Sequence, residues 1–236
     1  MRFAAGALAL ATTACAATMP APIAEGTEVL KPHAVGLTLA AAGAGFAGTC
    51  DAKATCLSQF GFGGEARVRL GLGGHQEIGA SGFGAFVVQQ GDTSSLAGQA
   101  QTRFVGGGEL SYKIAPVPWL AIVAGAGALD ENGTPVVGGD LAVLVAPYTG
   151  GQQAQLYTGA RGSFGIPIFS GGTATAEGLV VPVGFSFKYG SDVRVFLEGG
   201  LAVGFDQYRS TADPKTNQDA TYLGGYGAAG VLLMVR

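Results

Sequence analysis

The residues of this chain that could do chemistry are few, and many recur at a spacing of two. Glu65, Arg67 and Arg69 alternate with Ala66, Val68, Leu70 and Leu72. Arg103, Glu109, Ser111 and Lys113 lie opposite Phe104, Leu110, Tyr112 and Ile114. Lys188 shares a face with Gly184 and Ser186, while the odd positions from Leu179 to Tyr189 are apolar. Arg194, Glu198 and Asp206 lie opposite Val193, Val195, Leu197, Leu201, Val203 and Phe205. Glu77, Asp140 and Arg161 complete the set. In an extended chain successive side chains point to opposite faces, so residues two apart share a surface. Acids and bases gathered on one surface make an ion-pair network or line a path for ions. No nucleophile–base constellation is visible, so no catalytic residue is expected. Two separated histidines, His33 and His75, and three cysteines give no metal-ligand spacing, and no cofactor is implied.

Alternation over ten or more residues requires strands with two unlike surroundings. It predicts ten, at 34–46, 61–73, 76–90, 101–115, 118–129, 135–147, 153–167, 177–189, 193–206 and 220–235. The segment 118–129 is nearly all apolar and shows no clear face. Most of these exceed the five or six residues usual in globular sheets. The connections after strands two, four, six and eight are short, as at Gly74-His75, Val117, Gly150-Gly151 and Gly190-Ser191-Asp192. Those after the odd-numbered strands are mostly longer and polar, as at 47–60, 91–100 and 207–219.

Composition narrows the class. The 236 residues show no linker or shift in composition beyond the first thirty or so, which implies one domain over 33–236. Charged residues are 12% of the chain and glycine is abundant at 42 residues, a low-charge, Gly-rich make-up. The net charge of -3 and the absence of a basic run exclude nucleic acid as a partner. No stretch approaches the ~20 apolar residues of a transmembrane helix. Glycine clusters such as Gly61-Phe-Gly-Gly64 lack the strand–turn–helix setting of a phosphate loop.

Residues 1–15 have the form of an export signal: Met1-Arg2, then an apolar run from Phe3 to Ala11, then Thr12-Thr13-Ala14-Cys15. Cys15 resembles the acylated cysteine of bacterial lipoproteins, with Thr12 where such signals usually carry leucine. The alternative is an ordinary signal cleaved at an Ala-x-Ala site, with Cys15 removed. Residues 16–32, with three prolines, read as a flexible tether. Cys50 and Cys56 share one loop, at a spacing that would allow a small disulfide ring in an oxidising compartment.

Over residues 33–236 the pattern resembles the outer-membrane β-barrel superfamily: long alternating strands with short turns at one end and long loops at the other. Aromatics near the strand ends match its two girdles, with Tyr112, Trp119, Phe187 and Tyr189 near the short turns and Phe104, Phe205 and Tyr222 near the long loops. The resemblance implies an all-β, up-and-down antiparallel transmembrane barrel in a bacterial outer membrane, with both termini periplasmic and lipid as the partner of its outer face. Such barrels usually end in an aromatic residue, whereas this chain ends Leu232-Leu-Met-Val-Arg236. The omptin proteases also have ten strands, but work with His and Asp at the outer rim. Here both histidines fall at the opposite end, and no enzyme is expected.

If the apolar face meets lipid, Glu65, Arg67, Arg69, Glu77, Arg103, Glu109, Lys113, Asp140, Arg161, Lys188, Arg194, Glu198 and Asp206 enter the lumen. A ten-stranded lumen is narrow, so these charges should pair and fill it. The expected role is structural or surface-interacting, with the loops 47–60, 90–101 and 207–220 available to an unknown protein or surface ligand. The alternatives are a narrow pore for ions or small solutes, for which the inward Gly107, Gly200 and Gly204 leave room, and a soluble periplasmic barrel that binds a small ligand.

Overall fold

The computed structural model describes residues 26–50, 58–90, 101–131, 133–150, 153–169, 172–210 and 218–235. Ten strands follow one another along the chain: β1 (Val35–Cys50), β2 (Ser58–Gly73), β3 (Gln76–Gln90), β4 (Gln101–Val117), β5 (Leu120–Glu131), β6 (Thr134–Gly150), β7 (Ala154–Pro167), β8 (Gly172–Tyr189), β9 (Val193–Ser210) and β10 (Gln218–Val235). Each pairs antiparallel with its sequence neighbours, and β1 pairs with β10, so the sheet closes into an up-and-down barrel. Closure leaves no unpaired edge.

The register fixes the geometry. Stepping between paired residues from Arg194 through Leu232, Thr38, Arg67, Ser81, Glu109, Gly127, Gly138, Gly165 and Ala176 leads back to β9 at Asp206. The stagger from position 194 to position 206 is the barrel's shear, and it tilts the strands by about 40° to the axis.

One end of the barrel carries both chain ends and the tight turns. Gly74 (φ 58) and His75 (φ 63) both occupy the left-handed region, as the two central residues of a type I′ hairpin do. His33 is left-handed as well (φ 64), and its N–H donates to the Gly71 carbonyl at 2.9 Å. Both histidines are therefore turn residues at the end opposite the long loops.

At the loop end the ladders run past the expected strand limits, to Cys50, Ser210 and Gln218. The β5–β6 connection departs from the rule of long loops at this end. β5 stops at Glu131 and β6 begins at Thr134, with Gly133 (φ 85) donating its N–H to Asp130 Oδ1 at 2.7 Å. β5 ends at Glu131 opposite Val105, four residues short of the end of β4 at Gln101, and β7 ends at Pro167 while β8 runs on to Gly172, so the wall is low on the β5–β7 side.

The outer face is apolar. Leu39, Val68, Leu110, Leu141, Val183, Leu197 and Leu201 are all exposed on it. Tyr112, Trp119, Phe187 and Tyr189 are exposed near the turns, and Phe60, Phe62, Phe86, Phe104, Phe164 and Phe205 toward the loops. Phe62, Phe86 and Phe104 adjoin in a row, the first pair tilted and the second edge-to-face, with ring centroids 5.8 and 5.4 Å apart. Tyr222, expected in this girdle, is instead 2% exposed and packs in the lumen with Phe46 and Tyr226. β5 does have two faces: Ala121 is fully buried while Ile122 and Ala124 point outward. Both faces carry small and larger apolar residues, so hydropathy alone does not tell them apart.

Candidate functional site

The lumen holds the charged side chains in two layers. Nearest the turns lies a floor. Arg69 Nη1 donates to Glu77 Oε1 at 2.8 Å, and Lys113 Nζ stands 3.9 Å from the same oxygen. Arg194 Nη1 donates to Ser186 Oγ at 3.1 Å.

A segment read from the sequence as part of a tether completes this floor. Prolines and small residues predict a flexible stretch over 16–32, but Gly26–Pro32 cross the mouth of the barrel as a strap. Thr27 is fully buried. Its N–H donates to Gln155 Oε1 (3.1 Å), its hydroxyl donates to the Pro118 carbonyl (2.6 Å), and Gln155 Nε2 donates to its Oγ1 (2.9 Å). The Glu28 carbonyl accepts from Lys113 Nζ at 2.6 Å, and its carboxylate accepts from Arg194 Nη2. The Leu30 N–H donates to Glu77 Oε2 at 2.9 Å. The strap thus joins β7 and the β4–β5 turn to β3, β4 and β9, on opposite walls of the barrel.

Above the floor is a middle layer. Arg67 Nη2 lies 2.8 Å from Glu65 Oε1. Arg161 pairs with Asp140 and lies 3.3 Å from Glu109 Oε2. Glu198 accepts the hydroxyls of Tyr157 and Tyr226, each at 2.7 Å. The two rings reach it because their cross-strand partners, Gly184 and Gly200, have no side chain, and a Cβ at either would strike the ring. Inward glycine here seats aromatic rings. Of the glycines expected to leave room, Gly200 lies under Tyr226 and Gly107 against Leu129.

The upper half of the lumen is a third region, and an apolar one. Ala44, Phe46, Val180, Ala202, Tyr222 and Tyr226 form one cluster. Val87 and Val105, with Phe83 and Leu129 packed on them, form another. Asp206 is 2% exposed near the rim of this region. The alternating charges drew attention to the lumen, but these inward apolar residues escaped because any apolar residue on a strand reads first as facing outward. A signal was present, since Val87, Val105 and Phe46 share parity with charged residues of their own or neighbouring strands.

Glu65, Arg67, Arg69, Glu77, Lys113, Arg161, Arg194, Glu198 and Asp206 are all buried, and Glu109 and Asp140 nearly so. Lys188 and Arg103 share the inward parity but lie near the two ends of the barrel, paired in register with Arg194 and Val87. The charges therefore occupy the turn-side half, with Asp206 and Arg103 near the rim, and do not fill the whole lumen. Cys15, Cys56 and the side chain of Cys50 lie outside the described residues, as do 51–57, 91–100 and 211–217 of the expected contact loops. Among the described residues no three His, Cys, Asp or Glu side chains group as a metal site requires.

No family model matches the chain, and no curated protein sequence does. Solved structures of similar shape include the outer membrane protease OmpT from Escherichia coli, 12% identical, covering 89% of this chain and 100% of that one with a TM-score of 0.45. The transport unit of the autotransporter AIDA-I from Escherichia coli is 8% identical over 96% of each chain, with a TM-score of 0.43. The outer membrane protein OprG from Pseudomonas aeruginosa is 9% identical, covering 90% of this chain and 100% of that one, with a TM-score of 0.41. Likeness at this level carries no function across. The closed ladder of ten antiparallel strands itself defines the class, an up-and-down β-barrel.

Proposed function

We propose that the protein is an outer-membrane barrel sealed at its periplasmic end, a structural scaffold that presents its loop end at the cell surface. The strap carries the sealed-barrel reading: Gly26–Pro32 bind opposite walls across the mouth, above which the middle layer of ion pairs fills the lumen. The outer face supports the membrane. From Val195 to Phe205 the outward residues of β9 are apolar, and ten residue steps at about 3.3 Å, tilted by about 40°, cover roughly 25 Å, the height of an outer-membrane apolar band. Among the described residues, charged side chains meet this band from outside at its loop-side edge: Glu177, level with Phe164 and Phe205, and Asp130, exposed beside the short β5–β6 connection. Lipid also demands closure, since each backbone polar group needs a partner within the sheet. Short turns and both chain ends on one side match the periplasmic side of such barrels. Acylation at Cys15, a Cys50–Cys56 bridge and partner contacts through the outer loops belong to the same proposal.

The test is conductance of the full chain in a planar bilayer, after detergent-dependent solubility and a heat-dependent gel shift confirm a folded membrane barrel. A silent wild type, with steps of current in the Lys113→Ala/Arg194→Ala variant that loosens the strap, is the expected outcome. Steady wild-type current whose ion selectivity changes in Glu109→Ala would favour the pore. Monodisperse behaviour without detergent would favour the soluble barrel.

A further inference from the structure

Between the middle layer and the loop end, on the β5–β7 side where the wall is low, the lumen holds a chamber of about 90 Å³. Leu129, Val136, Ala176 and Val180 line its walls, and Glu109, Asp140 and Arg161 its floor. We propose that this chamber binds a small organic cation: a primary ammonium on an apolar body no larger than roughly one aromatic ring.

The walls specify the body. Ala176 is fully buried and Val136 and Val180 are each 3% exposed, so a ligand here meets mostly apolar wall, with the hydroxyl of Ser163, in register with Asp140, beside the floor.

The floor specifies the sign of the head group. It sets two carboxylates against one guanidinium. Glu109 and Asp140 converge over Gly125 of the intervening strand, where a Cβ would come 2.7 Å from Glu109 Oε1 and 3.0 Å from Asp140 Oδ1. Arg161 already serves both acids. Arg67, the next cation, pairs with Glu65 and also acts on Glu109; counting both of them, three carboxylates still face two guanidinium groups. An entering carboxylate would have to draw Arg161 away from two acids while facing both of them. An ammonium instead gains charge-assisted hydrogen bonds to carboxylate oxygens at a desolvated site. The site rests on the charged middle layer of the sealed barrel, and not on the strap.

The probes are benzylamine, benzyl alcohol and benzoate, titrated calorimetrically at pH 8 into the full chain folded in maltoside micelles. Ala176→Leu, which fills the chamber, is titrated in the same micelles, so that partition into detergent cancels. The expected result is saturable benzylamine binding at least tenfold tighter than benzyl alcohol, no binding of benzoate, loss of the benzylamine signal in Ala176→Leu, and at least tenfold weaker binding in Glu109→Gln. Val180→Phe serves as the blocking variant if Ala176→Leu loses the heat-dependent gel shift. Benzoate binding as tightly as benzylamine, benzylamine binding unchanged by both blocking variants, or no saturable binding would each overturn the proposal. A wild type that conducts yet still binds benzylamine would remove the sealed-barrel reading and leave the chamber standing.

Discussion

In the turn-side half of the lumen, Arg69, Glu77, Lys113 and Arg194 close around the strap, and Glu65, Arg67, Glu109, Asp140, Arg161 and Glu198 form a paired layer above it. In the loop-side half the barrel turns Phe46, Phe83, Val87, Val105, Val180 and Tyr222 inward. Both halves obey the same period of two, yet one is held by directional charge pairs and the other by apolar packing. A buried charge is tolerable only beside its partner, so the charged half must be filled and rigid. An apolar wall asks for no particular partner and can leave a chamber. Alternation thus reports which face is inside, and not what the inside is for.

The comparison can be broken most directly at Arg161. Replacement by alanine leaves Glu109 and Asp140 buried without their cation, and should destabilise the folded barrel by about 3–5 kcal/mol in denaturant titrations in micelles. A loss under about 1 kcal/mol would mean that the middle layer is hydrated and not held by pairing. One position from Asp140 along β6, Leu141→Arg sets a charge on the outer face near the middle of the apolar band. In lipid vesicles this should cost about 2–4 kcal/mol, whereas Glu177→Gln at the band edge should change stability by less than about 1 kcal/mol. Equal effects at the two sites would contradict a bilayer around the barrel.

Tyr226→Phe tests the joint between the halves. The ring keeps its place over Gly200 while Glu198 loses one of its hydroxyl donors, so the expected loss is about 2 kcal/mol, mostly as faster unfolding. Thr27→Ala is the mildest probe. It removes the strap's side-chain bonds to Pro118 and Gln155 and keeps its backbone bond, for an expected loss of about 1 kcal/mol. In a bilayer it should raise the frequency of brief openings without making the barrel steadily conductive.

Much of the barrel is legible along the chain, because side-chain direction in a strand is a local property with a period of two. The ten strands, the inward charges and the turns at Gly74-His75 and Gly190 all follow from residues within a few positions of one another. β5 was harder to read because from Leu120 to Leu129 both of its faces are apolar. The short β5–β6 connection goes against the general rule for loops at that end.

Sequence alone therefore determined the barrel, the inward direction of its charges and the place of both histidines at the turn end. Which acid meets which base was decided by the closed register, since Arg161 reaches Glu109 only because three ladders intervene between β4 and β7 at fixed offsets. The inward burial of Tyr222 and the glycine seats under Tyr157 and Tyr226 have the same origin. The strap lies furthest from what local pattern can show: its residues have no periodicity, and their place is set by hydrogen-bonding groups up to 166 positions away that converge only when the barrel closes.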